Sequence, residues 1–188
     1  MATEGLAQAM ANTRSVLANV TPEQYDLATP CASWDVRALV NHIVGGSHYF
    51  AACVNNGKAP DAANATDVTE GDLMATYDDG IKAALAAFDT PGAMEKMIEL
   101  PFGTFPGAAF MGLATNDQFT HGWDLARATG QNTDLAPDLA AELLEGAKAS
   151  IPEQFRGPDG QAPFAPAQPA GANASAADEL AAFMGRSV

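Results

Sequence analysis

Three side chains with the chemistry of metal ligands stand out: His42, Asp117 and His121. Asp117 and His121 are i,i+4 neighbours, and at about 100° per residue they lie about 40° apart on one helix face. The same face carries Phe110, Leu113, Ala114, Asp124 and Ala128, so a carboxylate and an imidazole sit within an apolar stripe. A buried carboxylate is strongly unfavourable unless it is paired or holds a cation. Two readings fit this helix on its own: a structural Asp–His hydrogen bond in the core, or a pair of metal ligands.

A second helix supplies a matching piece. Asp35, Ala38, Leu39, His42, Gly45, Gly46, Tyr49 and Cys53 fall on one face. The two glycines cost that helix about 1 kcal/mol each relative to Ala. Either close helix packing or space for a ligand beside the imidazole would offset that cost. Taken together, His42, Asp117 and His121 make a two-His, one-carboxylate set on facing helices. Three protein ligands leave coordination positions open for water or substrate.

Other groups are candidate helpers. Asp124 is a candidate catalytic residue as the acceptor that holds His121 in one tautomer. It is equally suited to pairing with Arg127 or Arg37. Those two arginines are the candidates for binding a substrate or cofactor carboxylate. Tyr49 is placed either to donate a proton near the site or to serve as a core aromatic. His48 lies about 120° around the helix from His42 and reads as solvated. Cys53 reads as a core hydrophobe and Cys31 as part of a packed loop. There is no Gly-rich phosphate loop, GxSxG elbow or HExxH motif.

Helices must position these groups. Ala accounts for 40 of 188 residues, and it has the lowest helix cost. Apolar periodicity predicts helices over 3–19, 34–55, 70–88, 106–129, 137–150 and 176–184. Thr21-Pro22-Glu23-Gln24 reads as a capped single turn, and Ser33 as the cap of the second helix. Residues 97–104 are the one strand or hairpin segment, and 58–69 a polar connection. The fold class is all-α: an antiparallel four-helix bundle with a short β hairpin and a C-terminal extension. It forms one domain, with a metal-binding bundle over 1–150 and an irregular strap plus short helix over 151–188 packed on it.

Acids outnumber bases 23 to 9, giving a net charge of -14, and the bases are scattered singly. Such a field disfavours nucleic acid and anionic membranes. No apolar run is long enough to span a bilayer, and no secretory signal precedes the first helix, so a cytoplasmic setting is expected.

The segment Thr29-Pro30-Cys31-Ala32-Ser33-Trp34-Asp35-Val36-Arg37, continuing through His42 to Gly45-Gly46, resembles the TPCxxWxVRxLxxHxxGG segment of actinobacterial metal-binding proteins. These are related to the N-terminal domain of mycothiol-dependent maleylpyruvate isomerase, in the DinB superfamily. Residues 117–130 resemble that family's DxxxHxWDLAxATG signature, and Leu100 to Ala108 and Phe183-Met184-Gly185-Arg186 are similar to further family segments. The resemblance implies a DinB-like bundle with a divalent metal near its centre, usually zinc, held by His42, Asp117 and His121. A His/His/Asp set also suits iron, nickel or manganese. Residues 151–188 are too few for the separate C-terminal domain of the isomerase, which is expected to be absent.

The leading expectation is a metal-dependent transferase or isomerase that activates mycothiol or a similar low-molecular-weight thiol toward a small-molecule electrophile. It would act as a monomer or homodimer. Competing expectations are a non-catalytic binding protein for a metal or small molecule, a non-haem iron enzyme using the same triad, and a metal-free bundle with a polar core pair.

Overall fold

The computed structural model describes residues 3–60, 67–158, 161–162 and 164–188. Residues 61–66 of the expected connection, and 159, 160 and 163 of the expected strap, lie outside the described residues.

Among the described residues, six α-helices form: α1 (Glu4–Leu17), α2 (Val36–Asn56), α3 (Leu73–Phe88), α4 (Gly107–Ala128), α5 (Pro137–Ser150) and α6 (Ala176–Phe183). A two-stranded antiparallel hairpin, β1 (Met97–Leu100) and β2 (Gly103–Pro106), precedes α4. The chain is an all-α, DinB-like fold. Around the bundle α1 packs on α4 and α3, and α2 packs on α3 and α4. The faces of α2 and α4 that carry the histidines are therefore neighbours.

The helix ends are set by local chemistry. Asp35, not Ser33, caps α2, its carboxylate accepting from the Ala38 N–H at 2.8 Å. The chain has not yet entered the helix at Ser33, because the Trp34 N–H closes a turn onto the Cys31 carbonyl. Thr29 fixes that turn, accepting from the Cys31 N–H at 3.1 Å and donating to the Trp34 carbonyl at 2.8 Å. At the other end of α2, Gly57 adopts φ 71°, and Lys96 Nζ donates to the Val54 and Asn55 carbonyls. Asp72 caps α3, which begins three residues later than its periodicity suggests.

The apolar faces bury three clusters. One joins α1, α2, α3, α4 and the hairpin around Phe50, Phe88, Ile98 and Phe110. A second joins α2, α3, α4 and the end of α1 around Leu39, Ile43, Tyr77 and Leu125. The third joins α5 and α6 to α1 and α4 around Phe119, Trp123, Leu144 and Leu180. Trp123 Nε1 donates to Asp178 at 2.8 Å, which ties α6 to α4. Within residues 151–174, Arg156 reaches the Ala165 and Phe183 carbonyls, both at 2.9 Å.

The closest helix approaches use Gly80 and Gly122 rather than Gly45-Gly46. A β-carbon at Gly80 would overlap Ser47 Oγ, and one at Gly122 would overlap Thr13 Oγ1. At Gly45 a β-carbon would meet nothing, and at Gly46 it would make only ordinary contacts, with Gln118 and Asp117 among them. Gly122→Ala should therefore destabilise the protein by about 1–3 kcal/mol. Helix propensity alone predicts a gain of about 1 kcal/mol for the same change. Urea unfolding monitored by circular dichroism decides between the two signs.

Candidate metal centre

His42 projects from the second turn of α2, and Asp117 and His121 from successive turns of α4. His42 Nε2 lies 3.2 Å from Asp117 Oδ1, and His121 Nε2 lies 3.6 Å from the same oxygen. One donor atom from each residue falls within 4.8 Å of the other two. Donor atoms bound to one zinc ion at about 2.0–2.2 Å stand about 3.4 Å apart. The two nitrogen–oxygen separations bracket that value and the third lies within 4.8 Å, so the donor chemistry suits a divalent ion drawn between them.

The ligand orientations are held from behind. Asp117 Oδ2 accepts from Gln118 Nε2 at 3.4 Å, and the same Nε2 donates to the Ile43 carbonyl at 3.2 Å. The Tyr77 hydroxyl donates to Gln118 Oε1, and the Thr13 hydroxyl donates to the Gln118 carbonyl at 2.7 Å. Gln118 and Tyr77 are both fully buried. Burial and the Asp117 charge push the Tyr77 hydroxyl far above its ordinary range, so it remains a donor. Burial alone would raise the Asp117 carboxyl. The hydrogen bond from His42 and the fields of both imidazoles outweigh it and hold Asp117 below its usual range.

His121 Nδ1 faces Asp124 Oδ2 at 3.0 Å. Asp124 has no exposed surface, and it is paired with Arg186 rather than with Arg127 or Arg37. Arg186 grips it through Nε at 3.1 Å and Nη2 at 2.8 Å. Burial pushes the Asp124 carboxyl up, but His121 and Arg186 bring it down to about 2. The Cys31 thiol donates to Asp124 Oδ2 at 3.2 Å, and burial together with the Asp124 charge pushes it up to about 12. Over the front of the site, the Trp34 ring stands 4.5 Å from the His42 ring and 5.4 Å from that of His121.

The remaining candidates are placed elsewhere. Tyr49 lies two turns along α2 from His42, packed against the first core cluster. Its hydroxyl pairs with Cys53 and is pushed up to about 12 by burial and that neighbour. Arg37 binds Asp67 and Thr69 and covers the Tyr25 ring at 4.8 Å. Arg127 is exposed and lines an open cleft of about 470 Å³ with Thr29, Pro30 and Ser187. His48 is exposed and bonds the Thr76 carbonyl at 3.0 Å, linking α2 to α3. Among the described residues, no contact joins Tyr49, Arg37 or Arg127 to the three donors.

Gln118, Trp34, Cys31 and Arg186 complete the surroundings of the site without having been marked by spacing. Gln118 adjoins Asp117 in the chain, about 100° further around α4, and its amide turns back to Asp117 Oδ2. Arg186 is 62 residues from Asp124, so no local pattern announces the pair.

Residues 6–126 match the family described as the mycothiol maleylpyruvate isomerase N-terminal domain. Two proteins of Mycobacterium tuberculosis, one from strain CDC 1551 / Oshkosh and one from strain ATCC 25618 / H37Rv, are similar to most of the chain. Each is 41% identical over 174 residues, covering 93% of this chain and 91% of the relative, and each is described as uncharacterized. All three donors lie within the family match, whereas Arg186 lies beyond it.

The Asp124 shift sets a pH dependence. Its carboxyl is depressed from an ordinary 3.8 to about 2, so its contribution is complete above the unfolded value and is lost as pH falls through the folded one. Metal-free protein should lose about 2 kcal/mol of stability from this group between about pH 5 and pH 2. Asp124→Asn should flatten that part of the profile, as measured by urea melts at stepped pH.

Proposed function

This chain belongs to the mycothiol maleylpyruvate isomerase N-terminal domain family, in the DinB superfamily, and from that membership and the site geometry we propose that it is a metal-dependent thiol transferase or isomerase. It binds a divalent ion through His42, Asp117 and His121, with zinc the first choice and iron, nickel or manganese also suited to the donors. Its cosubstrate is mycothiol or a similar low-molecular-weight thiol, and its second substrate is a small electrophile. The observation that carries this reading is the approach of two imidazoles and a carboxylate to one centre from adjacent helix faces.

A divalent ion held by His42, Asp117 and His121 would supply Lewis acidity, which favours the thiolate form of a thiol whose pKa is ordinarily about 8.5. The chain's own groups prepare the site for it. Asp124 takes the His121 Nδ1–H, which leaves the Nε2 lone pair directed at the centre. Asp124 is a positioning residue, since it is sealed from solvent and held by Arg186. Gln118 orients Asp117 so that Oδ1 faces both histidines while Oδ2 is occupied. Trp34 covers one side and excludes water, while the His42 side chain, 35% exposed, leaves an approach for substrate. No described helix is long and apolar enough to cross a membrane, and the net charge of -14 favours small-molecule partners over nucleic acid.

Untagged protein should contain about one divalent ion per chain by elemental analysis. His42→Ala, Asp117→Ala and His121→Ala should each weaken metal affinity by about a hundredfold or more, beyond what loss of an outer-shell partner costs. His48→Ala should leave it unchanged. In the cobalt(II)-substituted protein, adding mycothiol should produce a sulfur-to-cobalt charge-transfer band, and an electrophile should then discharge it as a thioether or isomerised product. Metal retained by all three variants, or the absence of that band, would overturn the reading.

A further inference from the structure

The His121 ring has two faces of use. Its Nε2 side meets His42 and Asp117, and its Nδ1 side meets a second donor set. There, Asp124 Oδ2 lies 3.0 Å from His121 Nδ1 and 3.2 Å from Cys31 Sγ, with 3.9 Å between the sulfur and the nitrogen. One thiol, one imidazole and one carboxylate on a common zinc ion stand about 3.4–3.6 Å apart, and on the larger cadmium ion somewhat further. The three come from the Thr29-anchored turn and from α4, so they are held by separate parts of the fold.

A cation already sits on this set, and the protein supplies it. Arg186 Nη2 lies 2.8 Å from Asp124 Oδ2 and 3.3 Å from Cys31 Sγ, and Nε lies 3.1 Å from Asp124 Oδ1. The tail that carries it is fixed at the end of α6, where the Arg186 N–H donates to the Ala181 carbonyl and Nη1 to the Met184 carbonyl, both at 2.9 Å. Gly185 turns the chain at φ 94°, a conformation that suits glycine, in a spot where a β-carbon would overlap Ala165.

We propose that Cys31, His121 and Asp124 form a second, thiophilic metal site that shares the His121 ring with the first set, and that the Arg186 guanidinium keeps it closed by standing in for the ion. A soft divalent cation such as zinc or cadmium enters when Arg186 withdraws. The ion displaces two protons to solvent, one from the Cys31 thiol and one from His121 Nδ1, which leaves His121 a bridging imidazolate when its Nε2 also holds an ion. The positive charge lost with the guanidinium is replaced, so Asp124 is never left buried and uncompensated. With Arg186 seated, the chain carries one ion. With Arg186 removed, it carries two.

The test titrates cadmium(II) into metal-free, full-length protein and follows the near-ultraviolet sulfur-to-cadmium band. Arg186→Met keeps most of the apolar stem and removes the cation. It should develop the band with an affinity about tenfold or more above wild type. Cys31→Ser in that background should abolish the band, which excludes Cys53 as its source. His42→Ala in that background should retain it, because His42 serves only the first set. This separates failure of the second site from failure of the first. No band in Arg186→Met, or a band that survives loss of Cys31, overturns the proposal. Should Arg186→Met not hold its native circular dichroism without metal, its melting temperature becomes the readout. Cadmium should raise it in Arg186→Met and not in the Cys31→Ser/Arg186→Met double variant, and the absence of a rise overturns the proposal equally.

Discussion

Two carboxylates lie on one side of α4 two helical turns apart, Asp117 partly buried and Asp124 fully so, and each meets positive charge or hydrogen-bond donors there. A buried anion with neither would cost more than a marginally stable domain can absorb. Much of the architecture answers that constraint. His42 crosses from α2 to one carboxylate, Arg186 returns from the end of the described chain to the other, and His121 lies between them with one ring nitrogen toward each. The polar centre is thus one connected network, and displacing any member disturbs the rest.

The network explains why the helices approach as they do. Gly122 lets α1 close on α4 until the Thr13 hydroxyl reaches the Gln118 carbonyl, and Gln118 in turn holds Asp117. Tyr77 on α3 adds a second buried donor to the same amide. Three of the four bundle helices therefore bear on the orientation of Asp117, and α2 contributes its partner. Rigid placement of this kind is what a metal centre with open positions requires, since ligands left to wander would lose affinity and geometry together.

Much of this was legible in the sequence, and the exceptions have physical causes. Helix identity follows from apolar periodicity, and α5 begins at the Pro that marks its first position. The juxtaposition of His42 with Asp117 and His121 follows from helical spacing together with the polar-on-apolar pattern. Boundaries were less legible: Asp35 outcompetes Ser33 as a cap because Thr29 closes a turn through Ser33 that no local rule announces. Gly45-Gly46 drew attention as a pair, yet the tight approaches fall at Gly80 and Gly122, since only the tertiary arrangement decides which glycine meets a side chain of the neighbouring helix. Arg37 finds Asp67 and Thr69, and Asp124 finds Arg186, through contacts between distant parts of the chain that carry no spacing signal.

The proposed function requires that two imidazoles and one carboxylate share an ion that has room for a thiol. X-ray absorption spectroscopy of the zinc-loaded protein tests it most directly. The resting spectrum should show a first shell of nitrogen and oxygen at about 2.0–2.2 Å, with the outer-shell scattering of two imidazoles and no sulfur. Addition of mycothiol should then bring in one sulfur at about 2.3 Å. A resting spectrum without imidazole scattering, or one in which added thiol leaves the shell unchanged, would contradict it.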